Sequence, residues 1–172
     1  MKKDNFIVTI FVLTFILSIF FSTVSNVITV YCNEIVVGII LVLVIIIGII
    51  FDIIGTSAIT AHEATFHSMS SAKIKGAKET ITLLKNASNI STICNDVVGD
   101  VCGIVSGALG AVLAISLANT FSINTTVISV VIAALISSMT VGGKAICKRI
   151  AIKKCDEIIF IVGKIKAILR MK

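Results

Sequence analysis

Lysine and arginine partition this chain. All fifteen fall in three clusters: Lys2 and Lys3; Lys73, Lys75, Lys78 and Lys85; and nine from Lys144 to Lys172. Between the clusters lie four apolar stretches with no basic residue, about residues 6–25, 35–59, 93–117 and 125–143. A helix crosses a hydrocarbon core of about 30 Å with about 20 apolar residues. Basic residues collect on the cytoplasmic side of such helices. The short turns at 26–34 and 118–125 carry no Lys or Arg and are expected to face outward. The pattern predicts an all-α membrane protein with four transmembrane helices. A cytoplasmic juxtamembrane helix lies within 60–90, and a basic amphipathic C-terminal helix within 144–172. Residues 1–172 form one transmembrane domain, multi-pass in the inner (plasma) membrane, with both termini cytoplasmic.

Composition excludes several alternatives. Charged residues are 14% of the chain and hydrophobic residues 57%, whereas a soluble domain carries about 25% charged residues. The net charge of +6 favours an anionic lipid surface. No nucleic-acid partner is expected, because the basic residues flank apolar runs and no aromatic stacking platform accompanies them. The first run has the basic start and apolar centre of a signal peptide. Its end, Phe20-Phe21-Ser22-Thr23-Val24-Ser25-Asn26, offers no Ala-x-Ala site, so an uncleaved helix is expected. The five cysteines, Cys32, Cys94, Cys102, Cys147 and Cys155, form no Cys-x-x-Cys pair and support neither a zinc knuckle nor a redox dithiol. Buried or interfacial thiols are expected, with S-palmitoylation of Cys147 or Cys155 as the alternative.

In the 60–90 segment, Ile74, Ala77, Ile81 and Leu84 form a helical stripe with lysines beside it, an amphipathic helix for the membrane interface. An ordinary connecting helix is the competing interpretation. The C-terminal segment alternates Ile150, Ile158, Ile165 and Ile168 with Lys148, Lys154, Lys164 and Lys166. It reads as a basic interfacial helix with a break at Gly163.

Charge inside an apolar run is costly and asks for a function. Asp52 lies in the second run, and Asp96 and Asp100 in the third, four residues apart on one helix face. Asn95 adjoins Asp96, while Thr56, Ser57 and Thr60 follow Asp52. Carboxylate, amide and hydroxyl oxygens suit a hard cation such as magnesium, which keeps several of its waters. A structural account competes: Asp96, Ser91, Thr92 or Asn95 could cap a helix start, and Asp52 could pair with an interfacial lysine. Gly99, Gly103, Gly107 and Gly110 make a small-residue stripe for close helix contact, within the chain or in a dimer. An enzyme is not expected. No nucleophile elbow or phosphate-binding loop is present, and His62 and His67 are five residues apart where a zinc protease helix needs four.

The stretch from Phe51 to Gly107 resembles the membrane domain of the CNNM/CorB/CorC magnesium-transport family. The matching text is Phe51-Asp-Ile-Ile-Gly-Thr-Ser-Ala and, later, Asn89-Ile-Ser-Thr-Ile-Cys-Asn-Asp-Val-Val-Gly-Asp. The family has a spanning helix ending in a small polar motif, a juxtamembrane helix, two more spanning helices and a second juxtamembrane belt. The resemblance implies that Ser57 and Asn95 stand at cation-binding positions. It also implies magnesium as the bound or transported ion, sodium as the candidate coupling ion, and a homodimer. Departures are plain. Gly55-Thr56-Ser57-Ala58 carries no Glu, Cys94 stands where the family has Gly, and the helix at 6–25 is additional. The family's CBS pair and accessory domain have no counterpart in residues 1–172. The expected function is therefore binding and transport of magnesium or a similar divalent cation through Asp52, Ser57, Asn95, Asp96 and Asp100. The alternative is a non-transporting membrane scaffold or accessory subunit.

Overall fold

The computed structural model describes residues 2–170. Lys172 lies outside them, as do the side chains of Lys2, Lys3 and Arg170. The described chain is helical almost throughout: α1 (Lys2–Tyr31), α2 (Glu34–Thr60), α3 (Glu63–Ser71), α4 (Ala77–Leu84), α5 (Ala87–Ser91), a π-helical turn (Thr92–Val98), α6 (Gly99–Phe121), α7 (Thr125–Lys153) and α8 (Cys155–Arg170). Four segments are long and apolar enough to cross a membrane: Phe6–Thr29, Glu34–Thr60, Ala87–Phe121 and Thr125–Lys153. Phe11, Phe15 and Phe20 of α1 and Val130, Val131 and Leu135 of α7 are exposed. So wide an apolar perimeter suits hydrocarbon rather than water as solvent.

The helices overrun the apolar stretches for identifiable reasons. In α1, Thr23 and Thr29 donate their hydroxyls to the carbonyls of Ile19 and Asn26. Polar side chains that bond back to their own helix do not end it, so the first turn shrinks to Cys32 and Asn33. Ser122 ends α6 in the left-handed conformation (φ 54°), with the Ile123 N–H donating to the Ala118 carbonyl. The Asn124 side chain then accepts from the Thr126 N–H at 2.9 Å and starts α7. α7 continues through Gly142 and Gly143 and takes in the basic residues to Lys153. The expected break at Gly163 does not occur. The chain turns at Lys154, and α8 passes through Gly163 unbroken, because that glycine is used for close packing.

The chain divides into two compact units, Met1–Ile49 with Val97–Gly143, and Ile50–Asp96 with Lys144–Lys172. In the first, Val37, Leu41 and Ile45 of α2 meet Val101, Val105 and Leu109 of α6, with Ile136 of α7 closing the cluster. Each triplet recurs every four residues, so each lines one face of its helix. Glu34, in the first turn of α2, accepts hydroxyl hydrogen bonds from Ser116 and Thr120 of α6. This ties the two helices where an α2 N-terminus favours negative charge.

In the second unit, Ala58 of α2, Phe66 of α3 and Ile159 of α8 form the centre. Phe66 stacks on Phe160 with ring centroids 6.1 Å apart. α4 lies against α8, where Gly163 faces Thr80 and Gly76 faces the backbone of Lys164. Gly76 has φ +94°, a conformation that a side chain would strain. A short helix, α4, occupies the expected amphipathic segment, but the face it buries is Ala77, Thr80 and Leu83. Of the expected stripe only Ala77 is buried; Ile81 and Leu84 are half-buried, and Ile74 is exposed in the turn before the helix. The reason is that α4 turns Thr80 toward α8 for close packing at Gly163.

Candidate cation site

α2 carries Asp52, Gly55, Thr56 and Ser57 on its last two turns, within the second unit. Asp52 is partly buried, while Gly55, Thr56 and Ser57 are buried. Successive helical residues are rotated by about 100°. Asp52, Gly55 and Thr56, related by three and four residues, therefore share one side of α2. Ser57 lies about 200° round the axis from Gly55 and points elsewhere. Its hydroxyl donates to the Ala151 carbonyl of α7 at 3.4 Å.

Asn95 is the middle residue of the π-helical turn. A π-turn widens the helix by one residue, breaks its regular hydrogen bonding and is frequent at functional sites. The Asn95 amide nitrogen donates to Ser91 Oγ at 3.2 Å. Its Oδ1 is buried and has no hydrogen-bond partner. That oxygen is pressed against Gly55: a Cβ added at Gly55 would lie 2.0 Å from Oδ1 and 2.7 Å from Cγ of Asn95. A buried unsatisfied carbonyl costs about 1–3 kcal/mol, so its retention needs an explanation. Asp52 stands one turn from Gly55 on the same side of α2. Among the described residues no hydrogen bond or ion pair engages Asp52, so the lysine pairing considered for it is not formed.

Asp96 and Asp100 are both exposed. Helical structure already begins at Ala87, so neither caps a free helix start. The two histidines also part company. His67 Nε2 contacts Glu63 Oε1 at 3.2 Å. The His62 backbone N–H donates to Asp156 Oδ1 at 2.8 Å, and its Nδ1 lies 3.6 Å from Asp156 Oδ2. His62, Cys155 and Asp156 form, among the described residues, the one gathering of three metal-competent side chains within 4.8 Å. They join the α2–α3 corner to the start of α8.

Of the five residues expected to bind a cation, the structure thus sets Asn95 against the helix face that bears Asp52. It turns Ser57 toward α7 and leaves Asp96 and Asp100 exposed. Gly55, the residue that admits Asn95, and Ser91, which orients it, were not singled out as site residues from the sequence. The available signal for Gly55 was its spacing of seven from Gly48 on a helix with a packed face. A π-turn leaves no such signal. Compared with protein-family models, curated proteins and solved structures, the chain shows no match in any of the three.

Proposed function

We propose that this chain is an integral membrane protein that binds magnesium or a similar divalent cation and carries it across the bilayer. The observation that supports this most directly is the buried, unpartnered Oδ1 of Asn95, held in a π-helical turn beside the α2 face bearing Asp52. Asp52 and Asn95 supply one carboxylate and one amide oxygen, and Thr56 a hydroxyl nearby. Magnesium fits so sparse a set because it retains much of its water. Asp96 and Asp100, exposed on the same span, attract the cation to the protein. Transport proceeds by rearrangement of packed helices rather than covalent chemistry, in keeping with the resemblance to the CNNM/CorB/CorC membrane domain.

Asn95→Leu separates function from folding. Leucine keeps the side-chain shape; it removes the unsatisfied oxygen but also the hydrogen bond to Ser91 Oγ. These two effects have opposite sign and similar size, so stability without cation is expected to change little. Saturating magnesium at about 100 times Kd stabilises a binding protein by about 2.7 kcal/mol. Wild type in detergent should show that thermal shift, and Asn95→Leu and Asp52→Asn should lose it. Magnesium influx into proteoliposomes should fall at least about ten-fold in both. A full magnesium shift in Asn95→Leu would remove this site from consideration.

A scaffold role is favoured by a different feature. A Cβ added at Gly103 or Gly107 would meet nothing within 4 Å. Both line an open groove of about 420 Å³ between α6 and α7 in the first unit, with Ser129, Ala133 and Ser137 across from them. The glycine stripe is therefore only partly used within the chain: Gly110 is closed by Ile136, and Gly103 and Gly107 remain open to a second copy. Gly107→Leu should lower dimer affinity in detergent about ten-fold, read by analytical ultracentrifugation. A wild type that dimerises but gives no magnesium shift would favour the scaffold.

A further inference from the structure

We propose that the cleft between the α3–α4 turn and α8 binds the headgroup of an anionic phospholipid. The cleft, of about 910 Å³, lies within the second unit and is lined by Lys73, Lys75, Lys78 and Lys164 together with Ile74 and Ile168. Glu79 is the one acidic residue in its lining, so four positive charges face a single negative one. Among the described residues no ion pair neutralises these four lysines; Lys164 rests over the Phe160 ring at 4.4 Å. Like charges that line one cleft repel one another, and an anionic ligand relieves that repulsion. A lysine ammonium serves phosphate well as a compact point charge.

The apolar neighbours point to a lipid rather than a free anion. Ile161, Ile165 and Ile168 are exposed on α8, related by four and three residues, and so form a stripe along one face. Ile168 belongs both to this stripe and to the cleft, so the apolar surface runs directly out of the basic one. Ile74, also exposed, adds to it from the α3–α4 turn. A soluble anion would use the lysines and leave the isoleucines in water. A phospholipid matches both surfaces, with phosphate against the lysines and glycerol and acyl carbons along the isoleucines. Basic pockets beside membrane-spanning helices hold lipid headgroups in this way. The fold builds the cleft through left-handed backbone at Lys73 (φ 55°) and Gly76 (φ 94°), which turns the chain between α3 and α4 and brings three lysines round to the side of Lys164.

The test uses full-length protein, delipidated in an uncharged detergent and titrated with dioctanoyl phosphatidylglycerol, dioctanoyl phosphatidylcholine or glycerol phosphate. Binding is read by native mass spectrometry. Phosphatidylglycerol should bind at least ten-fold more tightly than phosphatidylcholine. Each lysine near an anionic lipid contributes about five-fold in affinity, so Lys75→Gln with Lys78→Gln should weaken phosphatidylglycerol about 25-fold and leave phosphatidylcholine unchanged. Lys153→Gln with Lys154→Gln, outside the cleft, should alter neither. Equal affinity for the two lipids would overturn the proposal, as would an equal loss from the two double variants. Glycerol phosphate binding as tightly as phosphatidylglycerol would show a site for soluble anions and reject the lipid. Thermal melting of each variant separates lost binding from lost folding.

Discussion

Gly163→Ala should destabilise the pairing of α4 with α8 by about 1–3 kcal/mol, as overpacking does in a well-filled interior. Two effects oppose each other at this position. Alanine is the better helix former by about 1 kcal/mol, which argues for a gain. The space argues for a loss: the new Cβ would lie 2.0 Å from Thr80 Oγ1, 3.1 Å from Thr80 Cβ and 3.0 Å from the Gly76 carbonyl oxygen. None of these atoms yields easily. Thr80 is fully buried and its hydroxyl donates to that same carbonyl at 2.8 Å. Gly76 is itself pinned, with a Cβ position only 3.1 Å from Lys164 Cα. Packing therefore outweighs propensity. Gly142, also in a helix, has nothing within 4 Å of an added Cβ, and Gly142→Ala should show the propensity gain instead. Thermal melting followed by circular dichroism, with hydrogen exchange resolved to α4 and α8, reads both. A Gly163→Ala protein as stable as wild type, with unchanged exchange in α4, would refute the close packing.

Gly55→Ala is expected to drive Asn95 out of its place and abolish the magnesium-dependent thermal shift, with a loss of stability of about 1–3 kcal/mol. The added methyl would overlap Asn95 Oδ1 and Cγ and come within 3.1 Å of Cys94 Cβ. The overlap is with one side chain above all, so Gly55→Ala combined with Asn95→Ala should recover most of the stability. Residues in contact couple by about 0.5–3 kcal/mol in such double-mutant cycles. Magnesium binding should not return in the double variant, because the amide oxygen is gone. Additive losses in the cycle would mean that Gly55 and Asn95 do not touch. A magnesium shift surviving in the double variant would show that the cation is held elsewhere.

Much of the helical layout could be read directly. Runs of Ile, Val and Leu free of Lys and Arg mark the four long apolar helices, because hydrocarbon tolerates neither charge nor unpaired backbone. Boundaries were harder. Thr23 and Asn26 look like the end of a helix in linear text, yet the hydroxyls of Thr23 and Thr29 fold back on backbone carbonyls and α1 continues to Tyr31. Gly163 looks like a helix breaker, but glycine also marks a place where another helix comes close. Which role applies depends on Thr80, more than eighty residues earlier in the chain. Asp52 and Asn95 were identifiable as costly polar groups among apolar neighbours. Nothing in their local sequence reveals the π-helical turn that aims Asn95 at Gly55.

Composition and the placement of charge were enough to determine a chain with four helices able to cross a membrane and basic segments beside them. The reason is that transfer of side chains between water and hydrocarbon is a property of each residue and its near neighbours. Which oxygen stays buried without a partner, which glycine admits another helix and where four lysines converge were decided only by tertiary structure. Those outcomes depend on contacts between Gly55 and Asn95, Thr80 and Gly163, and the α3–α4 turn and Lys164. Such pairs lie far apart along the chain, and packing at interior density, rather than any local preference, brings them together.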